Sequence, residues 1–484
     1  MKLKQAKYIY MIGIKGVGMT PIAQILKKTG YVVSGSDIKE TFFTDKVLQR
    51  NKIKFHNGFN KKNIPANTDL VIHSSAFRLN NNVEMKEVAK RKIPIMLQAE
   101  ALAEIFNGYQ KNIAVCGSHG KTTTSALLGF VLQEAGLKPT VEIGSAVPQF
   151  KGNAIVGKSD IMVIEADEYQ NKLKYYQPHA VLLNNIDYDH PEYFKTPASY
   201  RKVFADFVKR IPKNGFVVAN MSDKNTVKAV KNCKCKVIKY TVIANEVKQS
   251  RENFNTHGIA TGYALTMTND YQYFQLHKDK KNLSEFKMQL VGEHNVQNAV
   301  AVIATCLELK IPLAKIKKAL AKFKGTARRL EKLGKHNGAL FIDDYGHHPT
   351  EIKTTLKAIK QIYPSKNIIC VFMPHMFTRT KALLNDFAKS FVDADEILIL
   401  PTYASARENK TYEISKELVE KINNICHSER SEAKTRNSEK NKIKYISSIK
   451  KCASYLKKNV TKNDVVVLMG AGDTFRVWDK IKRI

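Results

Sequence analysis

The sequence predicts an α/β protein made of three domains in series, and three observations carry that expectation. Strand-like apolar runs alternate with helical stretches along nearly the whole chain. Each third opens on such a run, and glycine-rich turns follow several of them. At 484 residues the chain is also too long for one ordinary core. The expected boundaries are residues 1–108, 109–325 and 326–484.

In the first domain, Tyr8–Ile12 reads as a strand and Gly13-Ile14-Lys15-Gly16-Val17-Gly18 as a glycine loop. A helix follows, ending near Gly30, and a second strand, Tyr31–Ser34, runs into Asp37. In the second domain a strand at Asn112–Cys116 feeds a loop from Gly117 to Thr123, then a helix at Thr124–Ala135 stopped by Gly136. Strands at Ile161–Ile164 and Ala180–Asn184 and an amphipathic helix at Val296–Leu309 complete it. The third domain has strands at Ala339–Ile342, Asn367–Met373, Asp395–Leu400 and Asp464–Met469, with a helix after Pro349. Two polar stretches, Ile243–His257 and Cys426–Lys442, interrupt the periodic pattern and read as solvated insertions.

Composition narrows the function classes. Apolar residues make up 43% and charged residues 25%, which is ordinary globular composition. No apolar run approaches the ~20 residues of a membrane helix. The start, MKLKQAKYIYMIGIKG, reads as a strand entering a glycine loop rather than a signal peptide, so a cytoplasmic protein is expected. Of seven cysteines only Cys233 and Cys235 lie close, with no second pair at zinc spacing, so free thiols are expected. The net charge of +35 is spread along the chain instead of gathered in a patch. That spread fits anionic small-molecule substrates; a basic nucleic-acid-binding ATPase is the alternative, resting on charge alone.

The strongest local signal is NIAVCGSHGKTTT, in which a strand feeds a turn whose backbone N–H groups can wrap a phosphate. Lys121 can then reach the outer phosphates, and the Thr122 hydroxyl is placed for Mg²⁺. Val115 stands where the first glycine of the standard phosphate-loop spacing would be. His119 reads as a turn residue. In VIEADE, Glu165, Asp167 and Glu168 cluster at a strand end and would repel one another without a cation or basic group nearby. His190 follows a strand in NNIDYDHPEYF, and taken alone it is a loop histidine. Asn295 and Asn298 share a face in GEHNVQNAVAV, as helix caps or as readers of a base edge. DDYGHHPTE (343–351) and PHMFTRT (374–380) place acids, histidines, a tyrosine and an arginine on loops after buried strands, where open α/β sheets bind ligands. The spacing Gly13-x-x-Gly16-x-Gly18 is not the dinucleotide fingerprint, yet it suits a nucleotide diphosphate on a helix N-terminus, with Asp37 near a ribose.

Together these motifs, with GTARRLEKLG (325–334) and GAGD (470–473), resemble the Mur ligase family over nearly the whole chain, and most closely its alanine-adding branch. The resemblance implies a Rossmann-like UDP-sugar domain, a central phosphate-loop ATPase domain and a C-terminal Rossmann-like amino-acid domain. It implies ATP-dependent joining of L-alanine to the lactyl carboxylate of UDP-N-acetylmuramate through an acyl-phosphate. By position it implies that Gly117, Ser118, His119, Gly120, Lys121, Thr122 and Thr123 hold the triphosphate, and that Thr122, Glu165 and His190 serve Mg²⁺. Asn295 and Asn298 match adenine-side positions, and Arg329 and Asp344 match a segment that closes on the nucleotide. Tyr345, His347, His375 and Arg379 match the amino-acid pocket, and Gly13, Gly16, Gly18, Asp37, His73, Ser74 and Ser75 fall in the UDP-sugar domain. Lys121, Glu165 and His190 are the implied catalytic set. Met376 stands where many family members carry arginine. Within the family, a ligase that adds a ready-made tripeptide to the same sugar is the nearest rival reading, discriminated by the amino-acid pocket.

Overall fold

The computed structural model describes residues 2–244, 259–263, 267–268, 271–278, 281–404, 414–432 and 442–482. The insertion expected at Ile243–His257 therefore lies outside the described residues beyond 244. Of the one at Cys426–Lys442, residues 433–441 lie outside them.

Three sheets organise the described chain. The first is wholly parallel, with strands β1 (Tyr8–Ile12), β2 (Val32–Asp37), β3 (Lys54–Asn57), β4 (Leu70–His73) and β5 (Ile95–Leu97) in the order β3-β2-β1-β4-β5. Helices α1 (Met19–Lys28), α2 (Phe43–Arg50), α3 (Val83–Lys90) and α4 (Gln98–Asn107) connect them. Strand order reverses between β1 and β4. The crevice beyond the carboxyl ends of those two strands is where such sheets take ligands.

The second sheet is built on β6 (Lys111–Cys116), β7 (Thr140–Val147), β8 (Gly152–Ile155), β9 (Ile161–Glu165), β10 (Ala180–Leu183), β11 (Phe216–Asn220) and β12 (Lys236–Ala244). It continues into β13 (Ile259–Tyr263), β14 (Met267–Thr268), β15 (Tyr271–Lys278) and β16 (Lys281–Met288). Strand β6 sits between β10 and β9, all parallel, with β7 beyond β9. Its helices are α5 (Lys121–Glu134), α6 (Pro197–Val208), α7 (Lys224–Val230), α8 (Glu293–Glu308) and α9 (Leu313–Lys322). Helix α5 is buried along nearly its whole length, and after its polar first turn the stretch Ala126–Leu132 packs among Val115, Val141 and Val163 and is apolar all round.

The third sheet has strands β17 (Glu331–His336), β18 (Ala339–Asp344), β19 (Asn367–Phe372), β20 (Glu396–Ile399), β21 (Lys442–Tyr445) and β22 (Asp464–Met469), in the order β17-β18-β22-β19-β20-β21. Only β17 is antiparallel. Helices α10 (Pro349–Ile362), α11 (Phe377–Ala382), α12 (Leu384–Ala388), α13 (Ile414–Glu432), α14 (Ile449–Asn459) and α15 (Arg476–Ile481) cover it.

The chain forms two compact units. One comprises Met1–Asp187, Ala198–Leu290 and Asn295–Ala327, and holds the first two sheets. The other comprises Tyr188–Pro197, Val291–His294 and Arg328–Ile484, and holds the third. Within the first unit α1 docks on β8: Asn153 Nδ2 donates to Val17 O at 2.8 Å, and Gln24 Nε2 to Asn153 Oδ1 at 3.4 Å.

Several expected elements change at their ends. The helix expected at Thr124–Ala135 begins at Lys121, because Gly120 in the left-handed region (φ 79°) starts it immediately after the loop. The helix expected at Val296–Leu309 begins at Glu293, which puts Asn295 and Asn298 inside it instead of at its cap. The third sheet opens with β17, a half-buried edge strand whose pattern gives no clean alternation. By contrast β15 alternates half-buried and buried along YQYFQLHK, a pattern the residue types show only at Phe274-Gln275-Leu276, since Gln272 is among the buried ones. Six cysteines among the described residues are free thiols, as expected. No described helix is long and apolar enough to cross a membrane.

Candidate active site

The first unit builds an anion cradle at the end of β6. Gly117 has φ 134°, and a Cβ there would come within 2.9 Å of Asn185 O, so the turn requires glycine. At Gly120 a Cβ would meet Asn298 Oδ1 at 2.5 Å, which brings α8 directly against the loop. Asn298 Nδ2 in turn donates to Asn295 Oδ1 at 3.3 Å, and both side chains are buried. Thr122 and Thr123 lie in the first turn of α5, with the helix N-terminus facing the loop. Asn185 Oδ1 accepts from His119 N at 2.9 Å, and His119 Nε2 pairs with Asp187 Oδ2 at 2.9 Å, so this histidine braces the loop.

Lys121 Nζ donates to Gly117 O at 2.6 Å and Ser118 O at 3.2 Å, and pairs with Glu168 Oε2 at 2.9 Å. Burial works against its charge, but Glu168, Asp167 and Glu165 hold the ammonium above the usual lysine range. The acidic cluster expected to need a cation or basic group thus has lysines within it, since Lys172 also pairs with Asp167 at 2.5 Å. Thr122 Oγ1 donates to Glu165 Oε1 at 2.6 Å, and Gly144 N to Glu165 Oε2 at 2.8 Å. A hydroxyl beside a carboxylate is an oxygen donor set of the kind Mg²⁺ takes. Behind it Glu142 is buried, and desolvation, with the Glu165 charge adding, pushes its carboxyl up to about 8.

In the first sheet the glycine loop and the loop after β4 meet. A Cβ on Gly13 (φ 87°) would strike Phe77 at 2.8 Å and Ser74 Cβ at 3.0 Å. His73 Nδ1 lies 3.2 Å from the carbonyls of Ser74 and Phe77, which shapes the turn carrying Ser75. Gly16 O accepts from Met19 N and Thr20 N, and Gln98 Nε2 donates to Gly18 O at 3.2 Å. Asp37 does not stand open towards a ribose. It is buried, its Oδ2 accepts from Lys15 N at 2.7 Å and its Oδ1 from Ile38 N at 2.8 Å, tying β2 to the glycine loop.

The second unit gathers a different set. Arg379 is 2% exposed and donates through Nε to Asp189 Oδ1 at 2.9 Å. Burial raises the Asp189 carboxyl, yet the Arg379 guanidinium and nearby histidines hold it well below the usual range. Arg379 Nη2 lies 3.3 Å from His190 Nδ1, which is also 3.1 Å from Glu192 Oε1. Arg379 is therefore committed to Asp189 and His190, and only its Nη1 is buried without a partner. Tyr345, His347, His375 and Tyr403 form a run of rings, with centroids 5.3, 6.0 and 5.8 Å apart in that order. Burial pushes His347 down to about 3, so it is neutral at physiological pH. Met376 has φ 72° and is buried, with its N–H on Tyr403 O at 3.0 Å.

Arg329 sits over the Tyr345 ring at 5.3 Å and 3.9 Å from Glu351. Asp344 points inward instead, accepting from Leu330 N at 2.9 Å and Gly346 N at 2.8 Å. It ties the start of the unit to β18. Its neighbour Asp343 pairs with Arg328 at 3.0 Å, while burial pushes that carboxyl up to about 6.

Sequence reasoning missed three residues that hold these sets together. Asp189 carries Arg379, Arg328 braces the unit's first segment, and Tyr200, fully buried, donates to Glu168 Oε1 at 2.9 Å. The pairing of Asp189 with Arg379 spans 190 residues and has no local signal.

Comparison with known proteins agrees with this architecture. The descriptions "Mur ligase family, catalytic domain", "Mur ligase middle domain" and "Mur ligase, glutamate ligase domain" match residues 8–110, 115–306 and 328–472 in turn. The chain is 38% identical over 474 residues to a UDP-N-acetylmuramate–L-alanine ligase of Clostridium kluyveri, covering 98% of this chain and 97% of that one. A protein of the same name from Clostridium acetobutylicum is 35% identical over 477 residues, with coverage of 98% and 97%. Among solved structures, the UDP-N-acetylmuramate-alanine ligase of Thermotoga maritima aligns over 98% of both chains at a TM-score of 0.76 and 24% identity. A murein peptide ligase of Psychrobacter arcticus aligns over 99% of both at 0.70 and 22%, and at such identities the likeness is one of fold. With all three parts matched in order and full-length relatives above a third identical, this chain belongs to the Mur ligase family.

Proposed function

We propose that this protein is a cytoplasmic ligase that joins L-alanine to the lactyl carboxylate of UDP-N-acetylmuramate, with ATP cleaved to ADP and phosphate, in peptidoglycan precursor synthesis. The observation that carries the reading is the full-length likeness to proteins of that name. The proposed domains are residues 1–108 for the UDP-sugar, 109–325 for ATP and 326–484 for the amino acid.

The chain's own residues account for the chemistry. The lactyl carboxylate attacks the γ-phosphorus, and its two products are ADP and an acyl-phosphate. The alanine amine then attacks the acyl carbon, phosphate leaves and the amine gives up a proton. Phosphoryl transfer asks mainly for positioning and charge neutralisation. The Gly117–Thr123 turn and the α5 N-terminus supply oriented N–H donors, and Lys121 exchanges Glu168 and two loop carbonyls for the phosphate oxygens. Thr122 and Glu165 would hold Mg²⁺, with His190 serving a second ion, and the metal would neutralise charge on the transferred phosphate. Asn295 and Asn298 face the adenine side, with Arg329 at the nucleotide and Asp344 fixing that segment. Gly13, Gly16, Gly18 and the His73–Ser75 turn hold the UDP-sugar, and Asp37 acts there by fixing the glycine loop. Tyr345, His347 and His375 line the acceptor pocket, and Arg379 Nη1 is the donor left for a carboxylate.

The test is phosphate release with ATP, Mg²⁺ and UDP-N-acetylmuramate against a panel of L-amino acids and the tripeptide L-alanyl-γ-D-glutamyl-meso-diaminopimelate. Release that needs both the sugar and L-alanine is expected. Release with the tripeptide alone would replace this reading with a recycling ligase, and none with any acceptor would overturn it.

A further inference from the structure

The buried side of the phosphate loop carries a chain of polar contacts in which the ligase reading gives Tyr200 no role. Lys121 Nζ meets Glu168 Oε2 at 2.9 Å, and Glu168 Oε1 accepts from the Tyr200 hydroxyl at 2.9 Å. The same hydroxyl lies 2.8 Å from Ser118 Oγ. Ser118 Oγ donates to Asp187 O at 2.6 Å and accepts from Asp187 N at 2.8 Å. Tyr200 sits one turn into α6 with its ring against Phe204, centroids 5.2 Å apart, and is fully buried, as is Glu168. One phenol thus joins the loop that wraps the anion to the carboxylate that holds the loop's lysine.

The Tyr200 hydroxyl lies within hydrogen-bond distance of both Glu168 and Ser118, and Ser118 Oγ of Asp187 O. An ionised carboxylate is the strongest acceptor of the three partners, so the tyrosine proton goes to Glu168. The serine proton is then divided between Asp187 O and the tyrosine oxygen.

We propose that Tyr200 is a positioning residue for ATP binding. By donating to Glu168 it lowers that carboxylate's hold on Lys121, so the ammonium can leave Glu168 for the incoming triphosphate. Without the phenol proton, Glu168 becomes a stronger base, and Lys121 stays with it and with Gly117 O. This inference rests on the ligase reading, because it assigns Lys121 to the phosphates.

The experiment is Tyr200→Phe, which keeps the ring and removes only the hydroxyl. A net hydrogen bond of ordinary strength corresponds to a rise in the ATP KM of roughly threefold to tenfold. The kcat and the KM values for the sugar and alanine should stay within about twofold of the parent, and the dissociation constant for a non-hydrolysable ATP analogue should rise by the same factor as the KM. Glu168→Gln takes away the carboxylate through which Tyr200 acts, so adding Tyr200→Phe to it should change little further. An unchanged ATP KM in Tyr200→Phe, strictly additive effects in the double variant, or an equal fall in every kinetic constant would each overturn the role. Lys121→Ala separates the two levels. If it retains turnover, the ligase reading of the loop fails as well. If it is inactive while Tyr200→Phe matches the parent, only the positioning role falls.

Discussion

The proposed phosphate loop of the first unit and the proposed acceptor loops of the second are both polar sites at the ends of parallel strands, but they are made differently. The phosphate loop is backbone chemistry: Gly117 and Gly120 have positive φ, and Lys121 reaches Gly117 O only four residues back. The acceptor loops are side-chain chemistry: Arg379 finds its charge partner 190 residues away, and the rings of Tyr345, His347 and His375 come from two separate loops. A backbone site tolerates little change in sequence, because only glycine takes its angles. A side-chain site can be rebuilt from several residue sets.

Substitutions can sharpen that contrast. Lys121→Ala should have the largest effect, a loss of at least about a hundredfold in kcat/KM with the fold retained, because no other group replaces the ammonium at the loop. Near-normal phosphate release by this variant would show that the loop does not handle the triphosphate. Arg379→Ala should raise the alanine KM and also act on stability, costing about 3–5 kcal/mol, since it leaves Asp189 charged, buried and without its main partner. Chemical denaturation measures this, and a cost below about 1 kcal/mol would mean the pair is not a structural anchor. Glu165→Ala should raise the Mg²⁺ concentration needed for half-maximal rate, and an unchanged titration would remove Glu165 from the metal site. Gly120→Ala should cost about 1–2 kcal/mol from the left-handed backbone and raise the ATP KM as Asn298 is displaced.

The smallest expected effect is a pH slope. His294 is half-buried, its Nδ1 is buried without a partner, and desolvation, with Arg329 adding, pushes it down from 6.5 to about 4. The unfolded chain therefore takes up the proton first as pH falls. Stability from this group is complete above pH 6.5 and is lost between 6.5 and about 4. His294→Asn should flatten that part of the stability profile, and an unaltered slope would show that other groups set it.

Much of the first unit was legible. The strand Tyr8–Ile12, the turn after Cys116 and the helix that follows appear as predicted apart from a shift of a few residues, because glycine placement and apolar runs act locally. The last strand, Asp464–Met469, was legible for the same reason: it is buried on both faces and so reads as one apolar run. Other features were not. Asp37 suggested a ribose contact from its place at a strand end, yet it caps Lys15 N and Ile38 N in the interior. Asn295 and Asn298 suggested caps or readers of a base edge, yet both lie within α8, with Asn298 against Gly120.

The sequence by itself determined the α/β class and the two glycine loops, because each depends on residues within one turn of the chain. Only the tertiary structure decided which charges are spent and which remain available. Arg379 goes to Asp189, Lys121 to Glu168, and Tyr200, with no motif to mark it, comes between Glu168 and Ser118. Those pairings follow from strand order and helix packing, which bring distant segments to one place. Once there, burial makes an unpaired charge costly enough that each must find its partner.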